Sequence, residues 1–143
     1  MCPMKKITLL PALFLFILII PFSCKKFIEQ QQENYIVNLV TDGTWRITGY
    51  YDHQTKNLTD SFAGYKFQFL KNNTLYSVWY GQQTYGTWSV DIGSKSITSN
   101  FPNASYPINL LNHTWIVTDS YTDSVAAKTV VDSSFNILNL HKN

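Results

Sequence analysis

The sequence predicts an all-β domain, an eight-stranded antiparallel up-and-down barrel preceded by a short N-terminal helix. Three observations carry that prediction. After Gly43, aromatic and β-branched residues alternate with polar ones, the period of a strand with one buried face. Gly, Asn, Asp or Ser interrupts the pattern every eight to twelve residues, the punctuation of a β meander. Connections such as Lys71-Asn72-Asn73 and Ile92-Gly93-Ser94 are short, so strands pair with their sequence neighbours.

The chain begins with a different texture. Lys5-Lys6 precedes an uncharged, mostly apolar run from Ile7 to Ile20, followed by Pro21-Phe22-Ser23-Cys24-Lys25-Lys26. A positive pair, an apolar stretch of this length and a small residue at a cutting position describe a cleaved export leader over residues 1–23. The run is shorter than the roughly 20 apolar residues a membrane-crossing helix needs. Residues 24–34 are polar and Gln-rich and suit a flexible tether. Asn34 to Val40 places Tyr35, Ile36, Leu39 and Val40 at helical spacing, and Gly43 stops that helix. The barrel domain then occupies 35–143.

Strands are predicted over 44–52, 63–70, 74–80, 84–91, 95–100, 112–119, 124–131 and 135–141. The interval 101–111 holds Pro102 and Pro107 and is excluded from any central strand. Alternation puts Trp45, Ile47 and Tyr51 on one face of the first strand and Tyr65, Phe67 and Phe69 on one face of the second. Closing eight such strands into a barrel removes the exposed edges an open two-layer sandwich keeps.

Charge excludes one class of function. Of 11 basic residues Lys5 and Lys6 lie in the leader, so the exported part balances nine basic against nine acidic side chains. No basic face for nucleic acid results. Cys2 also lies in the leader, leaving Cys24 as the one cysteine beyond it, so no internal disulfide can form. Stability then rests on a packed core, for which Trp, Tyr and Phe, 15% of the chain, supply large apolar areas.

Catalysis needs a nucleophile, an acid-base pair or a metal cluster in one place, and the sequence offers none. His53, His113 and His141 stand far apart, with no two at metal-ligand spacing. Asp119, Asp123 and Asp132 occupy turn-forming positions without the ligand spacing of a calcium loop. No cofactor and no metal is implied, and the expected protein is not an enzyme. Four Asn-x-Ser/Thr sequons begin at Asn57, Asn72, Asn103 and Asn112 and follow from an Asn- and Thr-rich composition.

The leader resembles those of bacterial lipoproteins, especially from the Bacteroidota. That resemblance implies a lipid on Cys24, and Lys25 after it implies transfer to the outer membrane. No acidic cluster follows Cys24, which implies a periplasm-facing position. Asp123-Ser124-Val125 is similar to a short O-glycosylation signal of that phylum. The domain resembles the bacterial lipocalin-like domains over residues 35–143. Gly43-Thr44-Trp45 matches the Gly-x-Trp motif at the start of a lipocalin's first strand, a barrel-closing motif of which Gly43 and Trp45 are the defining residues. Gly86-Thr87-Trp88 repeats it, and Thr118-Asp119-Ser120-Tyr121 loosely echoes a later family element. In lipocalins an arginine beyond the last strand packs over that tryptophan. Here the region is His141-Lys142-Asn143, and the only arginine is Arg46.

The resemblance implies a membrane-anchored, non-catalytic protein that binds a small apolar ligand inside its barrel. Tyr65, Phe67, Trp79 and Trp115 are the candidate ligand-binding residues, and Trp45 and Trp88 the candidate plugs. An eight-stranded barrel is barely wide enough for its own side chains or one small ligand. The alternative therefore stays open: rings fill the interior, and the protein acts through its surface on another envelope protein, as an assembly subunit or enzyme inhibitor.

Overall fold

The computed structural model describes residues 20–143, so the leader lies outside the described residues except for its last four. The chain enters through helix α1, Ile20–Thr41. This helix is much longer than the short helix predicted at 34–40, and it takes in the residues expected as a flexible tether. Gln, Glu and Lys are good helix formers, and no Gly or Pro interrupts 24–41. Residues 24–35 are exposed, whereas Ile36, Val37 and Val40 pack on the barrel. Gly43, at φ +85°, makes the left-handed turn that ends the helix, a conformation only glycine adopts freely.

Nine strands follow: β1 Trp45–Asp52, β2 Lys56–Asn57, β3 Lys66–Phe69, β4 Thr74–Trp79, β5 Gln82–Asp91, β6 Ser96–Asn100, β7 Thr114–Ser120, β8 Ser124–Val131 and β9 Ser134–Lys142. All pair antiparallel in sequence order except that β2 pairs only with β1, and β1 pairs with both β3 and β9. The result is a closed eight-stranded barrel, with β2 an outlying ribbon. Closure is uneven. β1 pairs with β9 from Trp45↔Lys142 to Tyr51↔Ile137, but it meets β3 through the single register pair Trp45↔Phe67.

Two departures from the predicted elements have local causes. The strand predicted over 63–70 starts only at Lys66 because the chain turns at 63–65, with Gly64 at φ +80° and the Tyr65 N–H donating to Phe62 O at 3.1 Å. The 3-10 turn before it, Thr59–Phe62, buries Phe62. In β1 it is Tyr50, not Tyr51, that is fully buried. A bulge between Ile47 and Gly49 against β9 adds a residue and inverts the alternation beyond it. Gly49 permits that bulge: a Cβ there would lie 2.7 Å from Asn139 Nδ2.

The core runs the length of the barrel. Val40, Trp45, Phe69, Leu75 and Val125 lie toward the helix end, and Tyr50, Phe62, Phe101, Ile108 and Leu111 toward the other. The far end is closed by 101–113, irregular as the prolines require, with a 3-10 turn at Ile108–Leu111.

Trp45 joins helix to barrel. Its indole Nε1–H donates to the carbonyl of Val40 at 2.9 Å, and Lys142 Nζ sits 5.3 Å from its ring centroid while also pairing with Asp42 at 3.3 Å. A cation from the end of the last strand, Lys142, thus covers the Trp45 ring, and Arg46 faces solvent. Truncating Trp45 to alanine is expected to cost about 3–5 kcal/mol in chemical denaturation, whereas Arg46→Ala stays within about 0.5 kcal/mol of the parent.

Candidate functional site

Each buried indole has its N–H satisfied by a nearby backbone carbonyl, which holds these rings in place. Trp88 Nε1 donates to Leu70 O at 2.9 Å and Trp115 Nε1 to Leu111 O at 3.1 Å. Trp88 stands edge-on to Phe69 at 5.3 Å. Among the described residues, no buried side-chain nitrogen or oxygen lacks a partner. What remains between the rings is a void of about 50 Å³, lined by Trp45, Phe67, Phe69, Phe101, Trp115 and aliphatic neighbours, with Ser99 the one polar residue. Small-molecule sites run to about 300–1,000 Å³.

The four candidate ligand residues are split by this packing. Phe67 and Trp115 are buried in the core. Tyr65 and Trp79 lie at the far rim, stacked on each other at 5.5 Å with ring planes 13° apart. Tyr65 is half-buried against Phe67 and Phe62, and Trp79 is 41% exposed. Together the four form no common pocket wall.

A buried polar network fixes the far end. Tyr50 donates its hydroxyl to Leu110 O at 3.1 Å and accepts from Asn136 Nδ2 at 3.3 Å. Asn136 in turn accepts the His53 backbone N–H at 2.8 Å, and Tyr50 N–H donates to Thr59 Oγ1 at 3.0 Å. Burial pushes the Tyr50 hydroxyl up to about 12, the Asn136 hydrogen bond opposing it.

The histidines stay apart, each with local partners. His53 Nδ1 is 3.0 Å from Asp52 Oδ1 and its Nε2 3.9 Å from Asp132 Oδ2. His141 Nε2 is 3.6 Å from Asp123 Oδ2. His113 stands edge-on to Trp115 at 5.6 Å, and burial pulls its imidazole below the usual range. Among the described residues, no three His, Cys, Asp or Glu side chains converge as a metal site would require.

The larger cavity lies outside the barrel. A cleft of about 580 Å³ separates α1 from the ends of β5, β6 and β7. Its floor is Ile36, Val90, Ile97 and Val117; Asp91, Lys95 and Asp119 stand among its polar residues, with Gln31, Gln32 and Tyr35 on the helix side. Sequence reasoning missed it because a strand pattern says which face is inward but not where a helix comes to rest. The signal available was the apolar set Ile36, Leu39 and Val40, which required a surface to pack on.

The sequence matches no protein-family model and no curated protein. Among solved structures the chain is similar to a DUF4847 family protein from Bacteroides vulgatus, with a TM-score of 0.55 and 13% identity. The alignment covers 76% of this chain and 97% of that one. At that identity the likeness shows the barrel fold alone.

The Tyr50 network has a measurable pH signature. The folded chain keeps a proton the unfolded chain releases between pH 10.0 and about 12, so stability falls across that window. Tyr50→Phe is expected to flatten the fall and, at neutral pH, to cost about 1–3 kcal/mol by leaving the Asn136 amide unpaired. Denaturation curves from pH 7 to 11.5 check both. For His113 the sign is opposite. Its depressed pKa makes the unfolded chain bind the proton first on acidification, so melting temperature drops below the usual imidazole range, and less in His113→Asn.

Proposed function

We propose that this protein is a non-catalytic envelope lipoprotein, anchored through Cys24 to the outer membrane and probing the periplasm with a filled barrel. It acts through its outer surface on another envelope protein, as an assembly subunit or enzyme inhibitor. The observation that carries this reading is the interior void of about 50 Å³, well under the range of known ligand cavities. Enlarging it means moving buried rings whose N–H groups are already bonded, at a cost of several kcal/mol.

The N-terminal geometry supports the anchor. Cys24 is exposed, and the helix from there to Ile36, its first residue packed on the barrel, rises about 18 Å. Phe27 and Ile28 are exposed on that stretch beside Lys25 and Lys26, a mixture suited to a headgroup boundary. Among the described residues no helix is long and apolar enough to cross a membrane.

A second reading keeps a small apolar ligand but moves it. The cleft under α1, at about 580 Å³, falls within the small-molecule range and has an apolar floor.

Purification from detergent-solubilised envelope checks the first reading. The wild-type chain is expected in the membrane fraction, carrying a lipid by mass spectrometry and retaining a protein partner; Cys24→Ser is expected in the soluble fraction. A protein that elutes alone contradicts the surface role, and an unmodified Cys24 contradicts the anchor. For the second reading, a fluorescent fatty acid should bind saturably to the wild type and at least tenfold more weakly to Val117→Lys.

A further inference from the structure

The β4–β5 hairpin uses residues unlike the rest of the barrel surface. From Thr74 to Val90 the chain has no charged side chain, while carrying Tyr76, Trp79, Tyr80 and Tyr85 with Gln82 and Gln83. Of these rings, Tyr80 is 87% exposed, Tyr85 59% and Trp79 41%. On β3, β4 and β5 the charged residues are Lys66 at the start of β3 and Asp91 at the end of β5.

Register organises these rings into two platforms. On the outer face Gln68, Tyr76 and Tyr85 form one row across the three strands, with the two tyrosine rings 5.9 Å apart. The Tyr76 hydroxyl donates to Gln68 Oε1 and the Tyr85 hydroxyl to Gln83 Oε1. Those bonds hold the phenols in place and turn the NH₂ end of each amide away from them. At the tip, Trp79 has Tyr65 nearly parallel to it at 5.5 Å. Tyr80 stands almost perpendicular to the indole, with centroids 4.9 Å apart at 78°. The tip is thus a corner with an indole on one wall and a phenol on the other.

Tyr80 occupies an unfavourable backbone position. It and Gly81 have φ of +46° and +80° between the paired residues Trp79 and Gln82, a two-residue turn whose first position suits Asn, Asp or Gly. A tyrosine there strains the turn and gains no burial in return.

We propose that this hairpin binds a neutral glycan, with Trp79, Tyr80 and Tyr85 stacking on sugar faces and Gln68 and Gln83 bonding to their hydroxyls. A pyranose presents an apolar C–H face within a ring of hydroxyls. It is matched by an uncharged aromatic ring flanked by planar amides. The hairpin itself carries no charge. Lys66, exposed on the same outer face in the row with Val78 and Gln83, is a single cation, too little to hold an acidic polymer or a charged peptide, a point the acidic control below checks. A protein-binding hot spot buries its anchors within a dry apolar centre, whereas here the rings are bordered by phenol hydroxyls, amides and threonines, with Val78 the aliphatic exception. The proposal is independent of the lipid anchor and of any protein partner.

Affinity electrophoresis of the purified chain tests it, in gels cast with neutral glucan, xylan, mannan or galactan, and with alginate as an acidic control. At least one neutral polysaccharide is expected to retard the wild-type chain, and alginate is not. Tyr80→Asn suits the turn better and removes only the ring, so it should melt no lower than wild type while binding at least tenfold more weakly. Tyr85→Thr should weaken binding similarly, and Tyr121→Ser, an exposed tyrosine on another loop, should not. Retardation by none of the neutral polymers, retardation by alginate alone, or undiminished binding by both Tyr80→Asn and Tyr85→Thr overturns the proposal.

Discussion

The contacts around Trp45 are the constraint on which the rest of this structure depends. Its indole N–H holds the end of α1 through Val40, its backbone pairs with Phe67 of β3 and Lys142 of β9, and its ring lies beneath the Lys142 ammonium. Helix, first strand, third strand and last strand therefore meet at one residue. Because the β1–β3 seam has only that register pair, the barrel is closed there by packing more than by a hydrogen-bonded ladder. Phe62 fills the remainder of the seam from the turn before β3, against Tyr50 at 5.3 Å.

A barrel closed this way has little interior to offer. Eight strands enclose a space that side chains nearly fill, and here Trp45, Phe67, Phe69, Phe101 and Trp115 occupy it. The Tyr50–Asn136 network seals the far end, where an open cup would have its mouth. The roomier cleft lies outside the barrel, beside α1, and the exposed rings gather on the β4–β5 hairpin. Both are places where the sequence leaves apolar or aromatic groups in reach of solvent.

Much of the fold was legible because it depends on period and punctuation. The alternation in 124–131 gave β8 to the residue, and Pro102 and Pro107 correctly kept 101–111 out of the sheet. Gly86 of the second Gly-Thr-Trp has a physical reason too, since a Cβ there would fall 2.4 Å from Asn100 O. What failed was set by tertiary register. The bulge at Ile47/Gly49 exchanged Tyr51 for Tyr50; Gly49 inside the strand is its one local sign, and the pairing with β9 decides where the extra residue falls. The placing of Lys142 over Trp45 was hidden for the same reason: only the register pair Trp45↔Lys142 brings that cation to the ring. The candidate ligand residues were chosen for aromaticity and strand face. Those properties do not distinguish a ring that lines a space from one that fills it: Phe67 and Trp115 border the void of about 50 Å³, and Tyr65 and Trp79 stack at the rim.

The most direct measurement is a crystal structure of the domain grown with a saturating long-chain fatty acid. The account predicts that Phe67 and Trp115 keep their packing and that no acyl density enters the barrel. A chain running between those two rings, with the void around them widened to hold it, would contradict it.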